Sequence, residues 1–169
     1  MKPRLQDRPG FRRWAARLPI FDDLISEEEL WPEAARRPLR RAEAVLERFR
    51  AIYPSIHYDI FWETRLMNAQ AFIGEHGRSV RLYGGLGRHR RVGVEGIAFA
   101  VAHEVGHHLG GPPRHEHYTT ISSEARANEW AEQEGLPAVF GSAVGRRFAV
   151  RGWVQLGAVW DRYKEGSRS

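Results

Sequence analysis

Cysteine is absent from the 169 residues of this chain, which excludes disulfide cross-links, thiolate nucleophiles and thiolate metal ligands together. Methionine is scarce as well, occurring only as Met1 and Met67. No stretch approaches the roughly 18 continuous apolar residues that a membrane-crossing helix requires. The N-terminal region is rich in arginine and has no continuous apolar segment of the kind that marks a secretory signal. Together these absences predict a cytoplasmic protein without a transmembrane segment, the lack of cysteine being compatible with either compartment. Internal repeats and low-complexity linkers are also missing, so a single domain spanning 1–169 is expected, with an N-terminal extension over 1–37, a core over 38–137 and a C-terminal helix over 138–169.

What is abundant is positive charge. Lysine and arginine total 26 against 21 acidic residues, a formal net charge of +5. The densest clusters are Arg36-Arg37 with Arg40-Arg41, and Arg88-His89-Arg90-Arg91. Such clusters can track phosphates, but no helix-turn-helix, zinc-ribbon or aromatic RNA-binding signature accompanies them. They read as solvated faces, with nucleic-acid contact kept as the alternative and, for residues 88–91, a second use in steering acidic substrates.

The segment with the most chemical content is His103-Glu104-Val105-Gly106-His107. On a helix, histidines four residues apart project from one face and can close on one metal ion. Glu104 stands beside them, placed to reach a water in an open coordination position without binding the metal itself. Ile97, Val101, Val105 and Leu109 recur every four residues, predicting a helix that buries one side. Glu95 favours its N-terminal dipole, and Gly110-Gly111-Pro112-Pro113 ends it just past the second histidine. His108 is turned roughly 100 degrees from His107 and is not expected to be a ligand.

A catalytic zinc needs a third protein ligand, and His115, Glu116, His117, Glu124 and Glu129 follow within reach. The run HEVGHHLG agrees with the metzincin pattern as far as Gly110, but Pro113 stands where that pattern requires a third histidine, and no methionine lies downstream. A peptide deformylase would need a cysteine ligand. A glutamate is left as the strongest third ligand. Glu124, Ala127, Asn128 and Ala131 fall at i, i+3, i+4 and i+7, so they share one face of a second helix, and the alanines allow close approach to the first. Glu124 would reach the metal from the first turn, and Asn128 would orient a ligand histidine by a hydrogen bond. Ser122 or Ser123 can cap this helix, Gly135 with Pro137 is expected to end it, and Glu129 is rotated away and read as solvated.

HEVGH followed by EARANEWA resembles the gluzincin metallopeptidases, in which HExxH is followed on a second helix by a glutamate ligand. The ImmA/IrrE-type branch carries an ExxANxFA segment, matched by Glu124, Ala127, Asn128, Trp130 and Ala131, and Leu136-Pro137 is similar to the LMP that often follows it. The HtpX-like branch carries ExxAD, where this chain has Asn128, and its NAFA-like strand and GLL-like turn are similar to Asn68-Ala69-Gln70-Ala71-Phe72 and Gly85-Leu86-Gly87. The resemblance covers roughly residues 66 to 137. It implies an α+β, zincin-like fold, with a small mixed sheet of about three strands packed on the two metal-bearing helices and flanked by N- and C-terminal helices. It also implies that residues 68–72 form an edge strand holding extended peptide substrates by backbone pairing.

The remaining pattern suits such a core. Alternation of Ile56, Tyr58, Ile60 and Trp62, then of Met67, Ala69, Ala71 and Ile73, then Val80 and Leu82, predicts three strands, with a hairpin turn at Gly74-Glu75-His76-Gly77. A helix is expected from Pro38 to Tyr53, ended by Pro54. Phe11, Trp14, Ala15 and Leu18 suggest a short amphipathic helix, and Ser26 with Glu29 a capping box for another short turn. Ser142 is expected to cap a C-terminal helix carrying Ala149, Trp153, Leu156, Trp160 and Tyr163, with Gly145, Gly152 and Gly157 weakening its continuity.

The expected activity is hydrolysis of peptide bonds in a peptide or protein substrate. Zinc would be held by His103, His107 and Glu124, with Glu104 as general base and the oxyanion stabilised by Tyr118, His115, His117 or Tyr163. Two alternatives stand beside it: a zinc-containing regulatory or binding module with little proteolysis, contacting nucleic acid or a protein through the basic surface, and a metalloprotein in which His115 or His117 replaces Glu124.

Overall fold

Leu39, Ala42, Val45, Leu46 and Phe49 lie at helical spacing, and Pro54 cannot continue a helix. In the computed structural model, which describes residues 25–166 and side chains as far as residue 161, these residues form helix α1 (Arg36–Ile52), with Ala42, Val45, Leu46 and Phe49 buried. Three strands follow, β1 (His57–Phe61), β2 (Ala69–Gly74) and β3 (Gly77–Tyr83). Gly74 pairs with Gly77, whose φ of 79° only glycine adopts readily, so Glu75 and His76 alone close an antiparallel β2–β3 hairpin. β1 joins β3 in parallel, giving a small mixed sheet of order β1-β3-β2 with β2 at an edge.

A single helical turn α2 (Gly84–Gly87) leads to α3 (Val94–Leu109), which carries the pentapeptide. The chain continues through α4 (Glu124–Trp130), a π-helical turn over Ala131–Gly135, α5 (Leu136–Phe140) and the long α6 (Ser142–Gly166). The architecture is therefore α+β. No helix among the described residues is long and apolar enough to cross a membrane.

α3 is the axis of the core, and here the pattern misled. The four-residue stripe predicts one buried side, yet every residue from Gly96 to His108 is buried. The reason is that α1, α4, α6 and the sheet surround it, and Gly96, Ala98, Ala100, Ala102 and Gly106 between the stripe positions let them approach. α6 packs so closely that a Cβ on Gly152 would stand 2.4 Å from the carbonyl oxygen of Glu95. Gln155 of α6 also accepts from the N–H groups of Gly93 and Gly96 at 2.8 and 3.0 Å, capping α3 from outside its own sequence.

Several other expectations are corrected. Gly135 and Pro137 do not end the helical run that begins with α4. The π turn carries it onward, and Pro137 follows in the first turn of α5, where the wider π turn accommodates its missing N–H. The helical run stops instead at Gly141, with φ 81°, so α5 crosses the boundary drawn at 137. Gly135 is small because a Cβ there would meet the Trp130 ring at 2.5 Å. Gly145 and Gly152 do not interrupt α6; both lie where another segment presses against it. Ser142 is its first residue rather than a preceding cap. The turn after Ser26 is a 3-10 turn, Glu27–Glu29, without a side-chain cap. The short helix around Phe11 to Leu18 and the Tyr163 side chain lie outside the described residues.

Candidate metal centre

The last two turns of α3 bring His103 and His107 to one face, and the Ser123-capped start of α4 brings Glu124 opposite them. Ser123 Oγ accepts from the Arg126 N–H at 3.3 Å, fixing where α4 begins. α3 and α4 touch through Gly106, where a Cβ would stand 2.6 Å from the Ala127 carbonyl oxygen. The Ser122 N–H also donates to the His107 carbonyl at 2.8 Å. As a result Glu124 Oε2 lies 3.2 Å from His103 Nε2, and Glu124 Oε1 lies 3.3 Å from His107 Nε2. The three side chains each offer a ligand atom within 4.8 Å of the others, a group able to hold a metal ion.

The far side of each imidazole is also engaged. His103 Nδ1–H donates to Asn128 Oδ1 and His107 Nδ1–H to the Ser122 carbonyl, both at 2.8 Å. A proton held on Nδ1 leaves the lone pair of a neutral ring on Nε2, toward Glu124, as metal ligation requires. The spacing suits an ion: donors about 2.0–2.2 Å from a tetrahedral centre lie about 3.3–3.5 Å apart.

Without a metal, the same atoms share protons. Burial disfavours the His107 imidazolium, but its hydrogen bond to Glu124 and the charges of Glu104 and Glu124 outweigh it, raising its pKa to about 9. Burial would raise Glu124, but hydrogen bonds from His103 and His107 hold it well below the usual carboxylate range. Glu104, next to the group and 6% exposed, is shifted the other way. Burial pushes its pKa up, partly offset by the nearby imidazoles. Its Oε1 lies 3.9 Å from His103 Nε2 and its Oε2 accepts from the Ala71 N–H at 2.8 Å.

The other named residues are placed differently. His108 points from another face of α3, where its Nε2–H donates to the Ser79 carbonyl at 2.9 Å. His115 and His117 do not belong to the metal-binding group. His115 is buried, and its Nδ1 accepts from the N–H groups of His117 and Tyr118 at 3.1 and 3.2 Å, shaping the loop before α4. His117 and Tyr118 are exposed. Glu129 is half-buried rather than solvated, paired at 2.9 Å with Arg126. Sequence reasoning passed over Arg126, which also donates to the Gly110 carbonyl at 2.6 Å and so ties α4 to the end of α3. Its only signal was an arginine at i+3 before Glu129.

Asn68 to Phe72 form or precede the edge strand β2, with Asn68 and Ala69 buried and Gln70 held by the Tyr83 hydroxyl at 2.7 Å. The basic segment 88–91 is divided, with Arg90 and Arg91 exposed, and of the other basic cluster Arg36, Arg37 and Arg40 are exposed. Arg88 and His89 are buried, and Arg88 donates to the carbonyls of Trp31, Glu63 and Thr64. Arg90 stacks on Trp31 with 4.4 Å from guanidinium carbon to ring centroid. The Arg88 guanidinium, spent on backbone carbonyls, is unavailable to phosphates or to acidic substrates.

No protein-family model matches this chain, and neither a curated protein nor a solved structure does.

Proposed function

We propose that this chain is a zinc-dependent endopeptidase of the gluzincin type, with a zincin-like fold. The observation that carries the reading is the convergence of His103, His107 and Glu124 with the buried carboxylate of Glu104 directly beside them. Two imidazoles and one carboxylate are a donor set of catalytic zinc, three protein ligands that leave a fourth position open. Both imidazoles have the Nδ1 hydrogen bond that ligation needs, which supports the assignment of His103, His107 and Glu124 as ligands and of Asn128 as the residue that orients His103.

Zinc bound there supplies a Lewis acid that makes water acidic enough to lose a proton near neutrality. Glu104 takes that proton as the water oxygen attacks the peptide carbonyl, then passes it to the leaving nitrogen as the C–N bond breaks. In the metal-free protein burial raises the pKa of the Glu104 carboxylate, the direction that makes it a better proton acceptor. For the alternative of a module that contacts nucleic acid, Arg88 and His89 are buried and contribute nothing to the surface, which leaves the exposed Arg36, Arg37, Arg40, Arg90 and Arg91 to carry it.

The test of the base is Glu104→Gln. It should retain zinc while cleavage of an unstructured protein, read as new peptide termini, falls by about 100-fold or more; equal cleavage by both forms would defeat the enzyme reading. For the ligands, Glu124→Ala should lose most of its zinc by elemental analysis, while His115→Ala and His117→Ala keep it. Zinc retained in full by the Glu124 variant would remove the gluzincin assignment.

A further inference from the structure

In a hairpin closed by two residues, Gly74 and Gly77 form the first hydrogen-bonded pair, and bonded positions recur along β2 at Phe72, Gln70 and Asn68. The 3.0 Å bond from the Tyr83 N–H to the Asn68 carbonyl continues this register. Ala69, Ala71 and Ile73 therefore turn their N–H and C=O groups away from β3. Because β2 is an edge strand, no further strand among the described residues takes them up. Water is the ordinary partner of such an edge. Ala71 departs from this, since its N–H donates at 2.8 Å to the side-chain oxygen Oε2 of Glu104 on α3.

The consequence falls on Glu104. A glutamate carboxylate turns easily about its last torsion, so its two oxygens ordinarily exchange places. Here one oxygen is held by a backbone amide of the sheet, and the other, Oε1, faces the imidazoles at 3.9 Å from His103 Nε2. Resting on the reading of Glu104 as the base, we propose that the peptide N–H of Ala71 is a positioning group. It fixes which Glu104 oxygen faces the two histidines, and it is closed to any peptide that adds to this edge. A substrate strand laid along β2 then finds the carbonyl of Ala71 and both groups of Ala69 and Ile73, but no donor at residue 71. The ladder is interrupted where the base stands.

Amide hydrogen exchange, followed residue by residue in the full chain without added metal, tests the tether apart from any activity. The Ala71 amide should exchange about tenfold more slowly than that of Ile73, the effect of one net hydrogen bond. Glu104→Ala should abolish that difference, while Glu104→Gln, which keeps an acceptor oxygen, should preserve it. The amides of Gln70 and Phe72, bonded to β3, should not change in either variant. Exchange at Ala71 as fast as at Ile73 in the unaltered protein would overturn the proposal, as would protection surviving Glu104→Ala or lost in Glu104→Gln. Loss spreading to Gln70 and Phe72 would overturn it too, since Glu104 would then be holding the strand rather than the reverse. In the zinc-loaded protein, replacing the residue-71 amide by an ester should lower kcat about tenfold with KM and zinc content unchanged. A fall confined to KM would overturn the positioning role. If no peptide is cleaved under any condition, the peptidase reading fails while the exchange result still decides the tether.

Discussion

His107 is bonded at both ends of its ring, to the Ser122 carbonyl through Nδ1 and toward Glu124 through Nε2. With a pKa of about 9 in the absence of metal, it carries a proton at pH 7 that zinc must displace, because only a neutral imidazole ligates. Zinc uptake at pH 7 should therefore release about one proton per ion, and the release should shrink as the pH is raised past 9. Calorimetric titration in buffers of different ionisation enthalpy measures this directly; uptake with no proton release would contradict the placement of His107. At the same scale, the two histidines and the glutamate between them could be read from adjacent letters, because helix geometry alone sets their relation. Arg88 could not. Its letter is that of a surface cation, and its burial follows from the carbonyls of Trp31, Glu63 and Thr64 gathered around it and the Glu33 carboxylate 3.8 Å away.

Among elements, the decisive contact is α3 against α4. Gly106, the third residue between the histidines' own turns, is where the backbones meet, with the Ala127 carbonyl 2.6 Å from the place a Cβ would occupy. Backbone cannot move aside as a side chain can, so Gly106→Ala should separate the helices. The expected cost is about 1–3 kcal/mol of stability, seen as a lower midpoint in chemical denaturation, together with weaker zinc binding as Glu124 is drawn back. An unchanged midpoint and affinity would show that the helices tolerate the added methyl group. The boundaries of α1 and α3 were legible because their stops are local, Pro54 in one case and Gly110-Gly111 in the other. The continuation through Gly135 and Pro137 was not. A π turn followed by a new helix places Pro137 where helices accept proline, and no local signal separates that case from a true end.

For the whole molecule, the candidate metal site is also a concentration of buried charge. His107 has its folded pKa raised from 6.5 to about 9, so its contribution to stability is complete below 6.5 and is lost as pH rises through 9. Glu124 has its folded pKa lowered from 4.5, so its contribution is present above 4.5 and is lost as pH falls toward the folded value. This pair thus favours the metal-free protein most between about 4.5 and 6.5. Zinc at a free concentration of about 100 times its Kd should add about 2.7 kcal/mol and raise Tm by roughly 5–10 °C. Thermal melts across pH with zinc and with chelator check both statements, and a Tm indifferent to zinc would remove the site from the folded protein.

The sequence by itself determined the local half of this protein. Periodicity and turn chemistry marked α1, the three strands, the hairpin and α3, and the spacing of the pentapeptide placed His103, Glu104 and His107 relative to one another. These follow from interactions between residues near in the chain, whose geometry is the same wherever the segment lies. Only the tertiary structure decided that α3 is enclosed on all sides, that Glu124 meets both histidines while Asn128 meets His103, that Gln155 caps a helix distant from it in the chain, and that Ala71 holds Glu104. Each of those contacts joins distant segments, and the small residues that let backbones approach, Gly106 at Ala127 and Gly152 at Glu95, carry no mark in the sequence of which partner they will meet.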